Sequence, residues 1–293
     1  MSAIAIGQHG RPRGEGVLRG LGRASLFFVV LGALYGLWEG YRWLGIHFGW
    51  QHPFPVTETT MPHIHVMVQA LFKHTHEGGP LLIGILWRAS LFTAKEAALG
   101  FAMGAVGGFA LGAMLAHSRM LQRGFLPYVV ASQTVPILAI APMVIVWLST
   151  LHVTAWISVS VIAAYLTFFP VVINTLRGLH SVDRQALELM RSFAASRWTI
   201  LWKLRFPASL PYLFAALKVS ATASIVGAIV GELPSGIAGG LGGAILNFAQ
   251  YYSFQPQNLW ATNIVAAAVG ITFFLAVLAA EKIVVRRAPE HLA

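Results

Sequence analysis

Six apolar stretches separated by short polar segments dominate this chain: residues 26–44, 88–116, 124–150, 154–176, 209–230 and 259–280. A helix needs about 20 residues to cross the hydrocarbon core of a bilayer, and each stretch is near or beyond that length. Lipid offers no partner to backbone N–H and C=O groups, so repeated runs of this kind must form helices that satisfy those groups internally. A hydrophobic fraction of 57% with only 10% charged residues excludes an ordinary soluble domain. The first run follows a long polar arm, and no clear small-residue cleavage site comes after it. It therefore reads as a retained span rather than a signal peptide.

The net charge of +10 would suit nucleic acid if it lay on one face, but it is scattered between the apolar runs. Alternating sides across six spans places Arg11, Arg13, Arg19, Arg23, Arg119, Arg123, Arg177, Arg184, Arg191, Arg197, Lys203, Arg205, Lys282, Arg286 and Arg287 together. Only Arg42, Lys73 and Arg88 fall in the opposite segments. The positive-inside rule makes the richer side cytoplasmic. The expectation is an all-α integral membrane protein with six transmembrane helices and cytoplasmic N- and C-termini. It divides into an arm at 1–25, a first span with an outer loop at 26–85, a transmembrane domain at 86–285 and a tail at 286–293.

Between the fourth and fifth runs lies a polar interruption that is patterned rather than flexible, 183–211. Leu187, Met190 and Ala194 recur at helical spacing, with Arg184, Glu188 and Arg191 opposite. Ser196 is placed to cap a second short helix, which Pro207 is expected to stop, since the residue before a proline is pushed out of the α region. Pro211 is placed to open the next span. The pattern predicts a helix–turn–helix elbow facing water.

This elbow resembles the coupling loop of ABC-importer permeases, the subunits of binding-protein-dependent systems. Their pattern is Glu-Ala-Ala, three residues, Gly, nine residues, Ile, one residue, Leu-Pro. Here Glu188, Leu189 and Met190 take the first three places and Ala194 the Gly place. Ala195, Ser196 and Arg197 follow the turn, and Leu204 and Pro207 close the motif at the family spacing. An Ala in a left-handed turn costs roughly 1 kcal/mol more than Gly. Either the turn differs here or neighbouring contacts offset that cost.

Other stretches resemble one branch of the same family. The run from Thr134 to Pro142 is similar to the third-span signature of sulfonate, taurine and nitrate permeases. Glu232-Leu-Pro, followed by Gly240-Leu241-Gly242 and the pair Tyr251-Tyr252, is most similar to permeases linked to pyrimidine-type thiamine precursors. The resemblance implies a type I importer permease fold and a gate region at Glu232, Gly240, Leu241 and Gly242. It implies docking of an ATP-binding subunit on the elbow, a second permease subunit as a homodimer, and an extracytoplasmic solute-binding protein. ATP and Mg would be held by the ATPase partner, with no cofactor, metal or catalytic residue in this chain. The bacterial inner membrane is the implied location. The solute is a pyrimidine-type precursor or related heterocycle, with sulfonate, taurine or nitrate as alternatives.

Gly100, Gly104, Gly108 and Gly112 recur every fourth residue, a small-residue stripe suited to close helix packing. His47, His52, His63, His65, His74 and His76 cluster between the first two spans, with only Glu58 and Glu77 beside them. The i, i+2 pairs converge weakly, so this segment reads as an outer loop with a short amphipathic helix rather than a metal site. A literal Glu-Ala-Ala at 96–98 is no coupling motif, because no Leu-Pro follows at the right distance. Gln133, Thr134, Asn174, Thr222 and Asn263 are the polar candidates for a translocation path. No phosphate-binding Gly-rich loop ending in Lys-Ser or Lys-Thr occurs, and no carboxylate–histidine cluster is expected within the spans. An ion-coupled secondary transporter, which needs such a relay, is therefore the weaker alternative, as is a membrane enzyme.

Overall fold

The computed structural model describes residues 14–50, 55–76 and 78–285 and is built from helices. The chain divides into two units between Val68 and Gln69. The first contains α1, Gly14–His47, which covers the first expected span and starts inside the expected arm. Residues 1–13 and the tail at 286–293 lie outside the described residues, as do His52 and Glu77. Arg42 organises this unit. Its Nε donates to the Met61 carbonyl at 2.8 Å, and its guanidinium also meets Glu58 and His63. Glu39 bonds His63 Nδ1 at 2.7 Å and accepts from the Ile64 N–H at 3.3 Å, where α2, Ile64–Ala70, begins. The short helix expected in the segment between the first two spans is thus present. Glu39, His63 and His65 do approach within ligand distance of one another, but the Arg42 cation sits against His63, which disfavours a second cation.

The second unit holds α3 (Leu82–His117), α4 (Arg119–Ser132), α5 (Ile137–Thr150), α6 (Ala155–His180), α7 (Arg184–Ser192), α8 (Arg197–Ile200), α9 (Phe206–Ser235), α10 (Leu241–Gln250) and α11 (Pro256–Val284). Among the described residues, α3, α6, the continuous helix Arg197–Ser235 and α11 are long and apolar enough to cross a membrane. The third expected span, 124–150, is not one straight helix. It breaks between α4 and α5, which bend by 99°. Pro127, Pro136 and Pro142 all fall in this pair, and Pro136 at the break has no N–H to offer the preceding turn. Hydroxyls satisfy the freed carbonyls instead. Ser132 Oγ donates to Val129 O and Thr134 Oγ1 to Ala131 O, each at 2.8 Å, and the Tyr165 hydroxyl of α6 reaches Ser132 O.

The glycine stripe of α3 packs on α6. A Cβ on Gly100 would meet Ala163 Cβ and Ser160 O at 2.5 Å; on Gly108 it would meet Phe168 O at 2.6 Å; on Gly112, Thr175 Cβ at 2.8 Å. Helix α9 approaches α6 in the same manner: a Cβ on Gly227 of α9 would meet Ala163 Cα at 2.9 Å, and one on Gly178 of α6 would meet Ser209 Cβ at 2.8 Å. Helix α6 is therefore held to both neighbours by backbone-to-backbone contact, with dispersion summed along each seam. Ala97, Val159, Ala163, Ile225 and Ala228 form the core where the three helices meet.

Gly104 faces the Ala164 carbonyl and Thr167, whereas Gly107 has only Phe168 within reach, at 3.8 Å. Gly104→Leu is expected to destabilise by about 1–3 kcal/mol through overpacking and to lower the yield of folded protein. Gly107→Leu should leave both nearly unchanged. Thermal unfolding in detergent separates the two, and equal stability of both variants would contradict the seam.

Candidate functional site

Two places gather the functional candidates: the elbow, and the corner where α9 turns into α10. In the elbow, the Asp183 side chain caps α7 by accepting from the Gln185 N–H at 3.3 Å. The helix ends in a left-handed residue, Ala194, with φ of 51°. The Ala194 N–H bonds Arg191 O at 2.9 Å and the Ala195 N–H bonds Met190 O at 3.1 Å. These two bonds hold the turn that Gly would adopt at lower cost. The expected turn thus forms with Ala in the Gly place. Ser196 caps α8 as expected, accepting from the Thr199 N–H at 3.2 Å.

The expected stop at Pro207 is corrected. Residues Leu201–Arg205 form a π-helical turn, and α9 continues from Phe206 without a break. The Phe206 N–H bonds back to Leu201 O, and Phe206 keeps α geometry at φ −64° and ψ −49°. The wider turn makes room for the proline ring, which would otherwise clash with the preceding carbonyl. The second arm of the elbow and the span are consequently one helix of 39 residues, Arg197–Ser235.

Glu188 lies exposed and pairs with Arg184 Nε at 2.8 Å, a contact worth little by itself. The apolar residues around it matter more. Leu189, Phe193, Trp198 and Trp202 are 59%, 76%, 70% and 57% exposed. Met190 and Ala195 are half-buried, Arg197 and Pro207 exposed, and Leu204 half-buried. Large apolar side chains left bare on a polar elbow mark an interaction surface.

At the other end of the same helix, all four residues assigned to the gate region come together. Glu232 is buried and accepts from Thr93 Oγ1 of α3 and from the Gly242 N–H, each at 2.5 Å. Thr93 Oγ1 accepts in turn from the Leu241 N–H at 2.9 Å. A Cβ on Gly240 would collide with the Glu232 carboxylate, and one on Gly242 would meet Ile229 O at 2.5 Å. Gly236, with φ of 71°, makes the turn out of α9.

Sequence reasoning missed the residue beside this corner. Glu96 is fully buried one turn along α3 from Thr93, and its carboxyl group is directed at that of Glu232. No other donor reaches its oxygens, so the contact is a hydrogen bond only when one of the two acids donates its proton. A second, half-buried pair joins Lys218 of α9 to Glu281 of α11 at 2.8 Å. The sequence reading weighs only carboxylate–histidine clusters within the spans and passes over these two pairs, neither of which includes a histidine. The signal was present: an ionisable residue inside an apolar run needs a partner. Each pair closes on itself between two helices and does not extend into a relay.

The path candidates are dispersed. Thr134, Asn174 and Thr222 donate to carbonyls of their own chain segments at 2.8, 2.8 and 2.9 Å. Gln133 sits at the α4–α5 bend and Asn263 is exposed on α11. Of the five, Thr134 alone lines the cleft of about 740 Å³ along α4.

The family model described as binding-protein-dependent transport system inner membrane component matches residues 108–288, more than half of the chain. The chain belongs to this family. Among permeases of the family, it is 31% identical to the riboflavin transport system permease protein RibX of Chloroflexus aurantiacus over 148 residues, 49% of this chain and 54% of that protein. It is 32% identical to the formylaminopyrimidine transport permease protein ThiX of Halalkalibacterium halodurans over 129 residues, 44% of this chain and 50% of that one. The chain thus spans about half the length of these two relatives. A putative aliphatic sulfonates transport permease, SsuC of Bacillus subtilis, is 27% identical over 231 residues, 78% of this chain and 77% of that protein. Among solved structures, a chain of the inward-facing MetNI methionine ABC transporter superposes with a TM-score of 0.55 at 21% identity. The match covers 70% of this chain and 96% of that one, and it shows the permease fold.

Thr93→Val removes the hydroxyl that serves both Glu232 and the Leu241 N–H. Stability is expected to fall by about 1–3 kcal/mol, the cost of leaving a buried group unpaired, and Thr93→Ser should restore most of it. Thermal unfolding of the three proteins tests this, and an unchanged Thr93→Val midpoint would contradict the linkage.

Proposed function

We propose that this chain is the permease subunit of an ABC importer, with six spans and cytoplasmic termini, working as a homodimer on two ATPase subunits. A binding protein outside the membrane would deliver a small organic nutrient. The observation that carries this reading is the elbow: the family spacing, the left-handed turn at Ala194, and an apolar face left uncovered. The ATPases would bind ATP and Mg and dock against Leu189 and Phe193.

The continuous helix explains how a push on the elbow would travel. At 39 residues, Arg197–Ser235 is roughly 58 Å long at 1.5 Å per residue. One end adjoins, across the Ala194 turn, the α7 surface assigned to the ATPase, and the other carries Glu232 and the gate corner. Closure of the ATPases would tilt this lever against the α6 seam and move the corner on the far side, a rocking of packed helices. Gln133, Thr134, Asn174, Thr222 and Asn263 would face the path formed between the two permease copies.

The names of the two relatives near 30% identity, riboflavin and formylaminopyrimidine permeases, favour a flat heterocycle such as a pyrimidine-type thiamine precursor. The longer alignment to a sulfonate permease supports sulfonate import as the second reading. Labelled aminopyrimidine and labelled taurine, each supplied with the cognate binding protein to vesicles holding the complex, distinguish the two.

Ala194→Arg places a bulky charge at the turn and is expected to release the ATPase on purification or leave ATP hydrolysis running without uptake. Glu188→Lys should weaken the contact less, because a rim charge contributes little. Co-purification, ATPase activity and uptake in reconstituted vesicles give the answer, and wild-type behaviour of Ala194→Arg would refute the coupling role.

A further inference from the structure

Inside the angle of the elbow lies a cleft of about 410 Å³ lined by His117, Leu187, Arg191, Ala195, Arg197, Ile200, Leu201 and Arg205. Three arginines and a histidine line it, and no carboxylate does. The one acid of α7, Glu188, is engaged by Arg184. The guanidinium groups of Arg191, Arg197 and Arg205 have no ion-pair or hydrogen-bond partner among the described residues. Like charges gathered in a recess repel one another unless an anion sits between them.

The cleft's position narrows the choice of anion. His117 ends α3 and Arg205 immediately precedes α9, so both walls are the ends of membrane-crossing helices. Trp198 and Trp202, exposed on a neighbouring side of the same helix, suit the headgroup level of a bilayer. Leu187 and Arg191, which line the cleft, lie half a turn of α7 away from Leu189 and Phe193. The surface assigned to the ATPase therefore faces the other way. Arginine forks match phosphate oxygens in geometry as well as charge, and basic pockets between helices on the cytoplasmic side suit anionic headgroups.

We propose that this cleft binds the phosphate of an anionic lipid headgroup and so ties the elbow to the membrane surface. The bound phosphate would bridge the end of α3 and both arms of the elbow, holding the angle at which the ATPase meets it. The proposal takes the cytoplasmic placement of the elbow from the function proposed above.

The test uses the permease purified with its ATPase, exchanged into mixed phosphatidylglycerol and phosphatidylcholine, with retained lipids counted by native mass spectrometry. Wild type should keep phosphatidylglycerol in preference to phosphatidylcholine. Arg197→Gln and Arg205→Gln should each reduce that retention about fivefold, the worth of one arginine near a charged surface. Lys203→Gln removes the same charge from the same helix outside the cleft and should leave retention unchanged. Equal loss in Lys203→Gln, or no loss in the cleft variants, would overturn the proposal. If the sites bind labelled inorganic phosphate without preferring phosphatidylglycerol, the source is free phosphate and the lipid is wrong. Loss of the ATPase with lipid retention intact would assign the arginines to the subunit interface instead. Failure of Ala194→Arg to uncouple transport would leave these lipid counts untouched, so the two readings fail separately.

Discussion

Contact without side chains between α6 and its two neighbours is the constraint on which the second unit depends. In lipid the hydrophobic effect does not drive helices together, so association rests on packing and polar pairs. The α3 glycines bring their helix against the carbonyls of Ser160, Phe168 and Val172, and Gly227 and Gly178 bring α9 against α6. Once these seams are set, the polar groups that reach between helices have fixed addresses. Thr93 meets Glu232 and Leu241, and Ser220 Oγ donates to Thr167 O at 3.3 Å.

The same seams make a lever plausible in physical terms. A helix packed by its backbone slides or rocks as a body, because little side-chain repacking is needed to follow it. The π turn at Leu201–Arg205 preserves continuity where a proline would otherwise have broken it, so the second arm of the elbow, α8, is part of the same helix as α9. In the proposed mechanism, movement at Trp198 would be movement at Glu232, with the Thr93 bonds as the fastenings at the far end. The Lys218–Glu281 pair ties the middle of that helix to α11.

Periodicity and spacing were enough to place the elbow, its Ser196 cap, the glycine seam and the short helix of the outer loop. Those features are local: each depends on residues a few positions apart. The break between α4 and α5 needed knowledge of which hydroxyls would satisfy the freed carbonyls, one of them from Tyr165 on another helix. Pro207 misled because the rule for the preceding residue assumes an α-helical wall, and the π turn removes that assumption. Glu96 and Lys218 were visible as charges inside apolar runs and Glu232 and Glu281 just beyond the ends of two runs, but which charge meets which is set by helix packing. The path candidates stayed dispersed, and the route proposed for them, between permease copies, would not be written within one copy.

The most direct measurement exploits the absence of cysteine from the sequence. Single cysteines at Phe193 in the elbow and at Ser253 between α10 and α11, each with a short thiol-to-amine cross-linker, report which of the two places touches the ATPase. The account predicts a covalent permease–ATPase product from Phe193→Cys and none from Ser253→Cys. A product from position 253, or none from position 193 in an assembled complex, would contradict it.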